Sequence, residues 1–176
     1  MIPNRKRIGP KDRIIRKPKS PSFKESGIGE YTIIKDGKKT NIRAEAIGQG
    51  NITINFFDEA KRIGVFTAEK SNLGWWNLFH RAVHSAYQGY YMGRTGFRLV
   101  EQQVKKAGGK GIYIDTNQKD VIRTLLKIGY GIKTAHRNEL CRILGIPIGA
   151  PTKTIILALE GQWMEKPHPL TLYKKL

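Results

Sequence analysis

The sequence is poor in cysteine and contains no long apolar run. Its 176 residues include one cysteine, Cys141, which excludes an intramolecular disulfide and favours a reducing compartment. No uninterrupted apolar stretch approaches the roughly 18 residues that a membrane-spanning helix needs. The N-terminus is basic but lacks the apolar core of a signal peptide. We therefore expect a cytoplasmic protein without a membrane partner.

Acidic residues are also scarce. There are 14 Asp and Glu against 32 Lys and Arg, which gives a formal net charge of +18. The resulting isoelectric point is about 10.2. Chains this basic usually bind polyanions, so we expect nucleic acid or another polyanionic assembly as a partner. The composition does not indicate an oligomeric state.

The basic excess is strongest at the N-terminus, where residues 1–27 form a predicted arm. Met1–Lys24 holds nine Lys or Arg, one Asp and four prolines. Such a segment buries too little apolar surface to offset its ordering entropy, which predicts a flexible or partner-ordered arm. A solubilising tail is the alternative. The predicted contacts to nucleic acid or an assembly are Arg5, Lys6, Arg7, Lys11, Arg13, Arg16, Lys17 and Lys19.

After the arm, the sequence to about residue 83 has the pattern of antiparallel strands. Asp36-Gly37 lies between two apolar segments and is a strong hairpin signal. Residues 51–56 alternate with period two, as a half-buried strand does. The predicted strands cover 31–34, 42–47, 51–56, 62–68 and 75–83.

The second half changes to a helical period. From Gly93, apolar residues at 97, 100, 104 and 107 predict a helix that ends at Gly108-Gly109. The other predicted elements are a strand at 112–114, helices at 118–128 and 138–144, and a strand at 154–159. We predict an α+β fold in which helices pack on a mixed, mostly antiparallel sheet spanning 28–160. Residues 161–176 are predicted to form a C-terminal tail.

The element order and one short motif resemble the GNAT superfamily, the general-control-type N-acetyltransferases. The family's R/Q-x-x-G-x-G/A turn is similar to Gln88-Gly89-Tyr90-Tyr91-Met92-Gly93, although Tyr91 stands at the first glycine position. Asn117 and Leu126-Lys127-Ile128-Gly129-Tyr130 resemble the family's "N…LGF" segment. The same segment also looks like GNAT-like internal proteins of phage virions, which allows a virion-associated location.

The resemblance implies an acyl-CoA-dependent N-acetyltransferase that uses acetyl-CoA and acts on an unidentified amine. Backbone N–H groups at a helix start suit a pyrophosphate, since they lie at the positive end of the helix dipole. The cofactor-binding residues implied in this way are Val83, Gln88, Gly89, Tyr90, Tyr91, Met92, Gly93, Arg94 and Asn117.

Catalytic residues are less evident. His80 and His84 are an even number of positions apart on one predicted strand, so their side chains are expected on the same face. They are the candidates for the base that deprotonates the amine. Many family members carry a tyrosine as the acid four residues before the glycine of "LGF", and the matching residue here is Leu125. Two histidines at i, i+4 on a strand lie about 13 Å apart, so we predict no metal site.

Two alternatives remain. The first is a non-catalytic protein that keeps the GNAT fold and binds nucleic acid or an assembly such as a virion, since fold alone does not fix function. The second is a KH-like module, because Gly93-Arg94-Thr95-Gly96 resembles the GXXG loop that clamps single-stranded nucleic acid. The long meander and the lack of a helix directly before the loop argue against the KH alternative.

Overall fold

A computed structural model describes residues 29–35, 38–88, 92–161 and 169–176. The strands in these ranges are β1 (Gly29–Lys35), β2 (Lys38–Gln49), β3 (Asn51–Asp58), β4 (Lys61–Lys70), β5 (Trp75–Val83), β6 (Gly111–Thr116), β7 (Gly131–Ile132) and β8 (Leu170–Lys175). The helices are α1 (Met92–Lys106), α2 (Lys119–Lys127), α3 (Thr134–Ile143) and α4 (Thr152–Gly161). The predicted basic arm lies outside the described residues.

The strands form a mixed sheet in the order β1-β2-β3-β4-β5-β6-β8-β7. The pairs β1–β2, β2–β3, β6–β8 and β7–β8 are antiparallel, whereas β5 and β6 are parallel. The predicted α+β class with a mostly antiparallel sheet is therefore confirmed. By its internal contacts the chain divides into two compact units, Met1–Thr67 with His80–Leu99 and Ala68–Phe79 with Val100–Leu176.

The first unit begins with the predicted hairpin. Lys35 and Lys38 are register partners at the ends of β1 and β2, and the two turn residues between them lie outside the described ranges. Along β3, alternate residues Ile52, Ile54 and Phe56 are buried, as their period-two pattern predicts. This alternation gives the unit one apolar sheet face.

Aromatic rings connect that sheet face to the first turns of α1. The rings of Phe56 and Phe66 lie 5.9 Å apart, and those of Phe66 and Phe97 lie 5.5 Å apart, both edge to face. Gly96 allows this approach, because a Cβ at that position would lie 2.3 Å from Cε2 of Phe66. The close packing of α1 on the sheet therefore requires a glycine at position 96.

The second unit has its core on one face of β6 and β8. Ile112, Ile114, Leu170 and Leu172 are fully buried there. The predicted apolar stripe of α1 continues into this unit through Val100 and Val104. Helices α2, α3 and α4 bury Ile122, Leu125, Leu126, Leu140, Cys141, Ile155 and Leu159.

A polar cluster lies within this otherwise apolar unit. Lys174 Nζ lies 2.8 Å from Glu101 Oε2 and donates a hydrogen bond to the carbonyl of Ile128 at 2.9 Å. The same nitrogen lies 5.6 Å from the ring centre of Tyr130. Burial raises the pKa of Tyr130, and the nearby Glu101 carboxylate raises it further. The cluster joins β8 to α1 and to the end of α2.

Two predictions for the C-terminal part are wrong. Residues 154–159 were expected to form a strand but lie in α4, which begins directly after Pro151 and buries Ile155 and Leu159 one turn apart. The predicted tail, 161–176, includes strand β8, which pairs with β6 and β7. β8 alternates buried Leu170 and Leu172 with more accessible residues, so the domain does not end at residue 160.

Candidate active site

The segment from the end of β5 to the start of α1 is the predicted cofactor turn. β5 ends at Val83, and a short 3₁₀ turn, Ser85–Tyr87, follows it. Gln88 donates a side-chain hydrogen bond to the carbonyl of Val83 at 3.1 Å, which links the residue after the 3₁₀ turn to the last residue of β5. Gly89, Tyr90 and Tyr91, which were predicted to contact the cofactor, lie outside the described residues.

Tyr87 anchors this turn to the end of β3. Its ring is buried, and its hydroxyl donates a hydrogen bond to Asp58 Oδ2. The hydrogen bond and burial together raise the pKa of Tyr87 to about 12. Sequence reasoning missed this pair, because the two residues are 29 positions apart and no periodic pattern joins them.

The first turn of α1 favours an anion. It contains no acidic residue, and Arg94 lies in it. In the described part of the chain, the buried Nε of Arg94 has no hydrogen-bond partner. A Cβ at Gly93 would meet no atom within 4 Å, so space is open beside the helix start. A positive helix end next to an arginine is an environment in which a phosphate group is stabilised.

The two candidate histidines have different positions. His80 lies on β5 and is exposed. His84 was expected on the same strand, which is wrong because β5 ends at Val83. His84 instead precedes the 3₁₀ turn, where its Nδ1 accepts a hydrogen bond from the backbone N–H of Ala86 at 3.3 Å. The backbone N–H of His84 also donates to the carbonyl of Ile63 on β4 at 2.8 Å.

No tyrosine occupies the position of the family's acid. Leu125, which matches that position, is completely buried in α2. The hydroxyl of Tyr113 donates to Ser71 Oγ at 3.2 Å, and Tyr130 is buried beside Glu101. Neither of these tyrosines is therefore the counterpart of the family's acid.

The parallel strands β5 and β6 pair over a short length. Their register begins at Trp75 with Gly111 and ends at Asn77 with Tyr113, although β5 continues to Val83 and β6 to Thr116. Val83 is half-buried, and Asn117 follows β6 as an exposed residue. Asn117 belongs to the second unit, and its contact with the cofactor stays a prediction.

Two further observations bear on the alternatives. Gly93 and Gly96 lie inside α1 rather than in a loop, so the KH-like prediction is wrong. Among the described residues, no group of three or more His, Cys, Asp or Glu side chains is arranged to hold a metal ion. In the same ranges, no helix is both long and apolar enough to cross a membrane.

Solved structures with the same fold are acetyltransferases. An acetyltransferase from Bacillus subtilis in complex with CoA has 16% sequence identity and a TM-score of 0.51, over 72% of this chain and 78% of that one. The IAA acetyltransferase from Bacillus cereus has 16% identity and a TM-score of 0.50, over 73% and 79%. The ribosomal-protein-S18-alanine N-acetyltransferase from Escherichia coli has 15% identity and a TM-score of 0.50, over 73% and 71%.

No protein-family model and no curated protein sequence matches this chain. The structural likeness nevertheless identifies the fold as that of the GNAT acetyltransferases, in a divergent form. The fold predicted from the turn motif and the element order is thereby confirmed. At these low identities the likeness establishes the fold alone.

The Tyr87–Asp58 hydrogen bond predicts a stability loss at alkaline pH. Because the pKa of Tyr87 is raised to about 12 in the folded chain, the native state holds its proton more tightly than the unfolded state. This contribution is fully present below about pH 10, the unfolded pKa, and is lost as the pH rises towards 12. Urea denaturation between these pH values should show a steeper decline for the natural chain than for Tyr87→Phe. Parallel declines in the two proteins would contradict the assignment.

Proposed function

We propose that the chain is an acyl-CoA-dependent N-acetyltransferase that uses acetyl-CoA and acts on an amine. The observation that carries the proposal is the start of α1, an acid-free helix N-terminus with Arg94 beside it, within a GNAT fold. The neighbour from Bacillus subtilis, whose structure contains CoA, supports the choice of cofactor. The proposal specifies the acceptor only by its amine group.

Backbone groups near the helix start would bind the cofactor's pyrophosphate. N–H groups in the first turn of a helix have no partner within the helix, and Gly93 leaves the approach to them open. Arg94 would add a positive charge through a guanidinium whose Nε has no partner within the described residues. Gln88 would act indirectly, since its side chain fixes the turn by bonding to Val83.

His80 is the better candidate for the base. It is exposed on β5, whereas one nitrogen of His84 already accepts a backbone hydrogen bond. In the proposed reaction, His80 would take up the proton that the acceptor amine loses, directly or through water, and bound acetyl-CoA would supply the acetyl group as a thioester. Leu125 has no proton to give, so the proton that the CoA thiol gains would come from the solvent, to which His80 later returns its own.

A non-catalytic role in nucleic-acid binding or assembly is the second candidate function. The observation that favours it is the complete burial of Leu125 at the position where family members carry the acid. The net charge of +18 is compatible with either candidate. The basic residues of the arm that this role would use, from Arg5 to Lys19, lie outside the described residues.

Gly93→Asp is expected to lower acetyl-CoA affinity by at least about tenfold. The new carboxylate would stand beside the pyrophosphate and repel it, while a negative charge at a helix start is favourable for the fold. Calorimetric titration of the natural chain and the variant with acetyl-CoA would measure the difference. Gly93→Ala is the matched control, because an alanine Cβ there meets no atom within 4 Å.

The same titrations need two other ligands, because a chain with a charge of +18 binds many anions weakly. ATP and a short single-stranded RNA serve this purpose at moderate salt. Salt-resistant binding that is selective for acetyl-CoA and lost in Gly93→Asp supports the transferase. Equal acetyl-CoA affinity in Gly93→Asp and Gly93→Ala would refute the site. Binding of the RNA alone, with steep salt dependence, would favour the second candidate function.

A further inference from the structure

One face of the sheet in the second unit carries accessible aromatic side chains. Trp75 pairs with Gly111 on β6, and Tyr113 of β6 pairs with Tyr173 of β8, so the side chains of these positions lie on the same face. Phe79 follows Trp75 by four residues on β5 and points the same way. Phe79 is 50% exposed and Tyr173 is 37% exposed, while Trp75 and Tyr113 are half-buried. We call these four residues the aromatic face.

Three of the four rings, those of Trp75, Tyr113 and Tyr173, have defined contacts. A Cβ at Gly111 would lie 2.5 Å from Cζ3 of Trp75, so the indole occupies the space that a side chain on β6 would take. The rings of Trp75 and Tyr173 contact each other edge to face at 6.5 Å. The hydroxyl of Tyr113 is bonded to Ser71. Little side-chain entropy is therefore lost when a ligand stacks on Trp75, Tyr113 or Tyr173.

Basic side chains accompany the aromatic face. Lys175 pairs with Gly111 and lies on the same face, and Lys110 stands next to Gly74 at the start of β5. Both lysines are exposed. One carboxylate, Asp115, also lies on this face and accepts a hydrogen bond from Thr171 Oγ1 at 2.6 Å. Exposed rings with flanking lysines match a ligand that has both planar bases and phosphates.

We propose that the aromatic face binds single-stranded nucleic acid. Bases stack on Phe79, Tyr113 and Tyr173, and the backbone phosphates lie towards Lys175. Stacking on aromatic side chains tolerates any base, so the binding is expected to show little sequence preference. A double helix fits poorly, because its bases are already stacked on each other. This proposal does not depend on the transferase function proposed above.

Fluorescence anisotropy with a labelled oligo(dT) of about 12 nucleotides tests the proposal on the full chain. Phe79→Ala should weaken binding by about tenfold and leave the salt dependence unchanged, because it removes a stacking surface but no charge. Lys175→Gln should reduce the salt slope by about one. Leu157→Ala is the matched control, since Leu157 is 56% exposed on α4, away from the aromatic face, and its loss should not change affinity.

Photo-crosslinking of the natural chain gives a second readout that requires no variant. Adducts on the peptides that contain Trp75, Tyr113 or Tyr173 support the proposal. Adducts confined to residues 1–28, together with natural affinity in Phe79→Ala, overturn it and assign binding to the basic segment. A change in self-association of Phe79→Ala, without a change in oligonucleotide affinity, also overturns it and makes this face a protein interface. Thermal unfolding of each variant checks that it is folded.

Discussion

Gly96→Ala is expected to lower the free energy of unfolding by about 1–3 kcal/mol. A Cβ at residue 96 would lie 2.3–2.5 Å from three ring atoms of Phe66. The ring of Phe66 cannot move aside easily, since Phe56 and Phe97 contact it from two directions. Alanine is also more favourable than glycine in a helix by about 1 kcal/mol. The measured loss of stability is therefore the steric cost minus this gain. Urea denaturation gives this value from the shift in midpoint at an unchanged slope.

Gly93→Ala provides the comparison, because both glycines lie in α1 and only Gly96 touches a ring. A Cβ at Gly93 has no neighbour within 4 Å, so this variant should be as stable as the natural chain or more stable by up to about 1 kcal/mol. Adding Phe66→Leu to Gly96→Ala should recover part of the loss, because a smaller side chain relieves the overlap. Equal stability of Gly93→Ala and Gly96→Ala would show that α1 does not approach the sheet this closely.

The periodic parts of the fold were predictable from the sequence. The alternation at 51–56 and the helical spacing at 97, 100 and 104 each indicate that one face is buried. In the structure, the apolar residues that form these patterns are buried. The segment at 154–159 misled prediction, because its threonine and isoleucines favour a strand when taken alone. In the fold, burial of Ile155 and Leu159 one helical turn apart outweighs that preference.

The candidate site was predictable only in part. The helix start at Met92 follows from the change in period and from the turn motif, so the position of the proposed phosphate site could be inferred. The Tyr87–Asp58 hydrogen bond could not be inferred, because it depends on which strand end lies next to the turn. The end of β5 just before His84 could not be inferred either, because no change in the sequence pattern marks it.

Lys174→Met is expected to destabilise the chain by about 2–3 kcal/mol. The substitution keeps most of the apolar stem but removes the ammonium that pairs with Glu101 and the carbonyl of Ile128. Removing one member of a buried ion pair costs about 3–5 kcal/mol, because the remaining charge is left without a partner. The Lys174 side chain is still 26% exposed, so water can reach the site and the expected cost is lower. Chemical denaturation at neutral pH measures the effect.

The double variant Glu101→Leu with Lys174→Met separates two explanations of that loss. If the cost comes from an unpaired buried carboxylate, removal of the carboxylate should restore most of the stability, since apolar replacements of buried pairs are often neutral. If the attraction of the ion pair itself stabilises the chain, the double variant should stay as unstable as Lys174→Met. Glu101 is only 12% exposed, which favours the first explanation. The pair would then determine how β8 joins α1 without adding to the net stability of the fold.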